Sequence, residues 1–292
     1  MENVNKKYKD RLFRMVFCEK KDLLDLYNAV NESDYTNPDE LEIVTIDDVI
    51  YLGMKNDVAI LIDNILNLWE HQSSWNPNMP IRGLFYFSQE YRKYIAAGDL
   101  NIYGSRRIML PVPQYVIFYN GRNEEPDKSE LLLSQSFDMK DKKITPCIEV
   151  KATVININRG HNKKMMEQCG RLREYSEFVG RVREALEGEL PLSKAVDQAV
   201  ESCIQEGILA EFLRQHRAEV CEVILTEYDE QKHIASEKEA SWEEGREEGQ
   251  KKERGRYSQL ILRLAEDNRA DLIVKAAADP ELLKKLYQEY EL

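Results

Sequence analysis

Segment 56–72, NDVAILIDNILNLWEHQ, places two acids and an amide at a spacing that suits a divalent cation. If the apolar run folds back at Asp63-Asn64, Ile62 pairs with Ile65, Leu61 with Leu66, and the ladder runs on to Asp57 opposite Glu70. Directly opposed residues of an antiparallel pair have Cβ atoms about 5 Å apart, and like charges there repel unless something positive sits between them. A divalent cation is the natural candidate. Side chains alternate faces along a strand, so Gln72 shares the face of Glu70, while His71 points the other way and is read as structural.

The elements that must position these groups follow from periodicity. Apolar residues at Leu12, Phe13, Val16 and Phe17 predict a helix over 7–17, with Asp10 and Arg14 four apart on another face. An Ile- and Val-rich strand is expected over 41–52, then the hairpin, a turn at NPNMP (76–80), and a helix over 79–96 with Arg82, Tyr86, Gln89 and Lys93 on one face. Strands follow at 115–119 and 148–157. The order is helix, three strands, helix, two strands: an α/β fold with an α+β-like mixed sheet. From His161 onward the pattern is almost purely helical, over 165–187, 192–208 and 210–227. The charged run 242–256, WEEGREEGQKKERGR, carries Gly245 and Gly249 four apart, and each glycine inside a helix costs about 1 kcal/mol relative to alanine. It reads as an exposed connecting helix or as a seam for another helix. Asp279 is placed to cap a helix beginning at Pro280. The expected organisation is a core over 1–160, a helical extension over 161–240, a linker over 241–256 and a small helical segment over 257–292.

At 292 residues and 42% hydrophobic content the chain can bury a full core. It has no uncharged apolar run of membrane-spanning length and its first residues, MENVNKKYKDRLFRM, have no apolar signal core, so a cytoplasmic protein without a membrane partner is expected. Five cysteines with no C-x-x-C pair argue against a disulfide framework or a zinc site. The net charge of −12 is unusual for a protein that binds nucleic acid. The distribution softens this: basic residues gather at Lys6, Lys7, Lys9, Arg11 and Arg14, and again at Arg106-Arg107, Lys142-Lys143 and Lys163-Lys164.

The stretches YKDRLFRMVF, KNDVAILIDN, WEHQSSWNPNMPIRGLFYF, PQYVIFYNG, ININRGHN and EEGREEG together resemble the Rpn-type recombination-promoting nucleases, also called putative transposases, of the PD-(D/E)XK superfamily. The resemblance covers nearly the whole chain and is most specific at EHQS-x-x-NPNMP-x-R. It implies a restriction-endonuclease-like core, Mg²⁺- or Mn²⁺-dependent cleavage of DNA, and a link to recombination or mobile elements. Carried over by position, Asp57 is the first acid of the motif and Glu70 the second, while Gln72 stands where the superfamily has lysine. Glutamine can orient water by hydrogen bonding but supplies no positive charge. Asp10 is a further candidate metal ligand, and Arg82 and Tyr86 are placed to reach the scissile phosphate, Tyr86 being read mainly as a packing residue with a polar tip.

A literal Pro126-Asp127 and Glu149-Val150-Lys151 also occur. Asp127 falls in the charged segment NGRNEEPDKSE, read as a turn away from any strand, so the hairpin acids are preferred. A different class of function is a catalytically silent DNA-binding or oligomerisation module that keeps the nuclease fold and self-associates through its C-terminal helices. Net acidity and the Gln72 exchange favour that alternative.

Overall fold

Asp63 and Asn64 both take left-handed backbone angles, φ 46° and 59°, as in the two-residue type I′ turn whose twist matches that of paired strands. In the computed structural model of the chain this turn joins β2 (Val58–Ile62) to β3 (Ile65–Gln72). The register is the one expected, from Ile62 opposite Ile65 to Val58 opposite Trp69. The structure describes residues 11–44, 58–138, 144–186 and 190–292, and for 227–245 and 247–251 the helical backbone alone. Asp57 and Asp10, both expected at the site, lie outside the described residues.

From β3 the chain passes through α3 (Met79–Ala97) and returns as β4 (Val112–Tyr119) parallel to β3, since a parallel neighbour can be reached only by a crossover. β6 (Lys151–Asn156) pairs parallel with β4, β5 (Lys128–Leu132) pairs antiparallel with β6, and the short β1 (Glu42–Ile43) pairs antiparallel with β2. Among the described residues the sheet is six-stranded with order β1-β2-β3-β4-β6-β5. The fold is therefore mixed α/β.

Each face of the sheet has its own apolar layer. Leu66, Leu68, Ile117 and Val154 pack with Met79, Tyr86 and Phe87 of α3. The opposite face, with Ile60, Trp69, Phe118 and Ile155, is covered by α1 (Arg11–Val16), α2 (Lys20–Asn31), α4 (Lys163–Gln168), α5 (Gly170–Leu186), α6 (Leu192–Gln205) and the first turns of α7 (Ala210–Glu266). Phe13, Leu26, Phe118 and Phe178 are completely buried there, and each such side chain contributes about 1.5–3 kcal/mol. Gly83 lets α3 approach β4 closely, because a Cβ at that position would sit 2.6 Å from the Tyr115 ring.

The chain divides into two compact units, Met1–Glu227 and Tyr228–Leu292. The second has its own small core of Leu260, Leu264, Ala276, Leu286 and Tyr287, built from the end of α7 with α8 (Asp271–Ala278) and α9 (Pro280–Glu289). Asp279 caps α9 as expected, its side chain accepting from the amides of Glu281 and Leu282. Among the described residues no helix is long and apolar enough to cross a membrane.

Several elements differ from the sequence expectation. α2 was not anticipated, although Leu23, Leu24 and Tyr27 lie at helical spacing and are buried. β5 lies hidden in a charged stretch, because as an edge strand it buries little, with Leu131 as its buried residue. The helix expected over 165–187 is interrupted at Cys169, whose backbone is extended, giving α4 and α5. The helix expected to end at 227 continues to Glu266, after a kink at His216 (φ −116°, ψ 19°), so Gly245 and Gly249 lie within helical backbone. Of the strand expected over 41–52, Glu42–Ile43 is seen, and 45–52 lies outside the described residues.

Candidate active site

Alternation along β3 sets which groups meet. Glu70 belongs to the same strand face as Leu66 and Leu68, the face packed by α3. α3 starts soon after the strand ends, so its second turn returns over that face and brings Arg82 to Glu70. Nη2 of Arg82 lies 2.8 Å from Oε2 of Glu70, whose side chain is 0% exposed while that of Arg82 is 24% exposed. The hydroxyl of Tyr86, one helical turn further on, accepts from Nε and Nη2 of Arg82 at 3.1 and 2.8 Å and also hydrogen-bonds Glu70. Carboxylate, guanidinium and phenol thus form one connected buried triad.

The electrostatics are mutually supporting. Burial, the largest single influence, would lower the pKa of Arg82, but the charge of Glu70 together with Tyr86 and Tyr115 outweighs it and the guanidinium is held more firmly protonated than usual. Burial and then the charge of Glu70 push the Tyr86 phenol well above its ordinary range, so it stays neutral. Arg82 therefore keeps a fixed positive charge beside Glu70 at all ordinary pH values. Tyr86, read from the sequence as a packing residue, is completely buried yet ties both charged groups together. Its position four residues after Arg82 was the available signal, since i,i+4 residues share a helix face.

Gln72 lies at the end of β3, half-exposed and beside a shallow cleft with Trp75, Met79, Ile117 and Tyr119. The parallel strands finish level with one another, Gln72 opposite Tyr119 and Tyr119 opposite Asn156. Carboxyl ends of parallel strands are where open α/β sheets place their ligands. The segment 155–162 builds the rim of this end. Asn156 Nδ2 donates to the Glu125 carbonyl at 2.6 Å, Asn158 Nδ2 donates to the Gly121 carbonyl at 3.1 Å, and Asn162 Nδ2 donates to the Asp127 carbonyl at 2.6 Å. Arg183 of α5 donates to Asn158 Oδ1 at 2.8 Å and to the carbonyl of Asn120. These bonds satisfy backbone groups that the strand ends leave open.

The literal Pro-Asp and Glu-x-Lys residues do not form a site. Asp127 immediately precedes β5, not a turn remote from strands, and its carboxylate lies 2.6 Å from Nδ1 of His161. Glu149 precedes β6 at the other end of the β5–β6 ladder, where Leu132 faces Lys151, and it accepts from the Ser134 amide. At about 3.3 Å per strand residue the two acids are roughly 20 Å apart.

His71 takes the opposite face of β3, buried against Phe13 and bonded through Nε2 to the Tyr175 hydroxyl at 3.0 Å. Burial, and then the positive charge of Arg183, push its pKa down to about 3. Because the folded value lies below the unfolded one, this stabilisation is complete above about pH 6.5 and is lost as pH falls toward the folded pKa. The expected loss at pH 5 is about 2 kcal/mol. Urea midpoints measured across pH 5–7 should show this slope in the wild type and a flatter one in His71→Gln; equal slopes would remove His71 as the acid-sensitive group.

Glu70 and Gln72 offer a carboxylate and a carboxamide oxygen, donors of the hard class that Mg²⁺ and Mn²⁺ prefer. Among the described residues no three His, Cys, Asp or Glu side chains gather to hold a metal ion. The donors present fit such an ion in kind, and the remaining expected ligands, Asp57 and Asp10, fall outside the described residues. No family model, curated protein or solved structure matches the chain.

Proposed function

We propose that this chain is a metal-dependent DNA endonuclease with a restriction-endonuclease-like core, of the Rpn type that its sequence resembles. The observation that carries the reading is the placement of Glu70 and Gln72 near the carboxyl end of β3, with Arg82 from α3 on Glu70. The hairpin register supports the expected pairing of Asp57 with Glu70, since each observed pair from Ile62–Ile65 to Val58–Trp69 is the one that pairing requires.

In this reading Asp57, Glu70 and Asp10 hold Mg²⁺ or Mn²⁺, which when bound supplies a more acidic water and neutralises phosphate charge. Arg82 holds Glu70 in place and lends a permanent cation for charge developing on the phosphoryl oxygens. Gln72 orients water through its amide, the role left to it in the absence of a lysine.

A second reading is favoured by the completeness of the triad: a carboxylate wholly buried and bound by Arg82 and Tyr86 can serve the fold alone. The chain is then a silent DNA-binding or self-associating scaffold. Calorimetric titration with Mn²⁺ separates the two. One site in the wild type that disappears in Asp57→Ala and in Glu70→Gln supports the nuclease, and heats identical in all three proteins support the scaffold.

A further inference from the structure

The connection from α3 to β4 carries exposed apolar side chains and paired arginines within an acidic chain. Residues 101–107 are all exposed, with Tyr103 93% and Ile102 57% accessible, and Met109 follows at 73%. The connection, residues 98–111, carries Arg106 and Arg107 against a single acid, Asp99, within a protein of net charge −12. The presentation is built: the Asn101 side chain accepts from the Tyr103 amide at 3.0 Å, and the Gly104 amide donates to the Asn101 carbonyl at 3.2 Å. The base of the loop is fixed by Tyr91, whose hydroxyl donates to the Pro111 carbonyl at 2.8 Å, and by the Val112 amide on Asn64. A short turn therefore holds Ile102 and Tyr103 outward, with two guanidinium groups three and four residues beyond the ring.

We propose that this loop is a binding finger for single-stranded nucleic acid, in which a base stacks on Tyr103 while Arg106 and Arg107 contact phosphates. An aromatic ring with both faces open is a sequence-tolerant platform for bases, and neighbouring arginines follow the backbone. Charge complementarity selects a polyanion, because this is a cationic patch on an acidic chain. The exposed apolar side chains fall in two runs of the sequence, Ile102–Tyr103 and Met109–Leu110, and the two arginines lie between them. The finger is at the far end of β3 and β4 from Gln72, with Val112 opposite Ile65 and Tyr119 opposite Gln72. That separation is roughly 23 Å at about 3.3 Å per residue, so the finger is a contact apart from the proposed cleavage site.

Fluorescence anisotropy with a labelled oligothymidylate and with a duplex of equal length, in EDTA to prevent cleavage, tests the finger in the full chain. Tighter binding of the single strand is expected, weakened about tenfold by Tyr103→Ala. The double variant Arg106→Ala/Arg107→Ala should also reduce the salt dependence by about 1.4 ion equivalents. Wild-type affinity in both variants, or preference for the duplex, overturns the proposal. So does a dimer in sedimentation equilibrium that dissociates on Tyr103→Ala without any loss of oligonucleotide binding. Finger-dependent binding by a protein that never cleaves DNA in Mg²⁺ upholds the finger and retires only the nuclease reading.

Discussion

Arg82→Ala is expected to lower the free energy of unfolding by about 3–5 kcal/mol, toward the lower end because the arginine is partly exposed. The reason is what the change leaves behind. Glu70 is completely buried, and without the guanidinium its carboxylate must remain charged in an apolar layer or take up a proton. The Tyr86 hydroxyl stays in place but carries no charge to compensate. Arg82→Lys should recover only part of the loss, because an ammonium cannot match the planar fork that meets both Glu70 and Tyr86. Replacing both charges, as in Glu70→Leu/Arg82→Leu, should be much milder than Arg82→Ala, since a buried ion pair gains little over an apolar pair of similar volume. Equilibrium urea denaturation of the single and double variants measures this directly. A small effect of Arg82→Ala would mean that the triad does not carry the stability its burial implies.

Glu70→Gln is the corresponding change for function. The amide keeps the shape of the carboxylate and an oxygen for Arg82, but it removes the negative charge that a divalent ion requires. DNA cleavage is expected to fall at least about hundredfold, at or beyond the 10- to 100-fold typical of losing an outer-shell partner of a metal ligand. Circular dichroism and a thermal melt on the same protein separate lost chemistry from lost fold. Cleavage retained at the wild-type rate would remove Glu70 from the mechanism.

Local rules made the hairpin legible: alternation set the faces, and Asp63-Asn64 set the turn and hence every pair observed as far as Val58–Trp69. Helix α3 and the Asp279 cap were legible for the same reason, since their signals are contained within a few neighbouring residues. β5 was not, because edge strands owe their structure to a partner: Lys128–Leu132 becomes a strand by pairing with β6, and its own sequence is mostly polar. The contact of Arg82 with Glu70 was only half legible. Sequence placed Arg82 on the helix after the site and aimed it at a phosphate, whereas its distance to Glu70 depends on how close α3 lies to the sheet, and Gly83 helps set that approach. The role of Tyr86 was underestimated because a buried tyrosine usually fills space. The false match at Asp127 and Glu149 shows the reverse limit: spacing in text agreed with the motif, and strand register put the residues at opposite ends of a ladder.

The most direct test of the proposed function is conversion of supercoiled plasmid to open-circle or linear DNA by the purified full-length chain, with Mg²⁺, Mn²⁺ or Ca²⁺ and with EDTA, beside Glu70→Gln prepared in parallel. The account predicts cleavage with Mg²⁺ or Mn²⁺ that EDTA abolishes and the variant lacks. Plasmid left intact by the folded wild type with either metal, or cut equally well by Glu70→Gln, would contradict it.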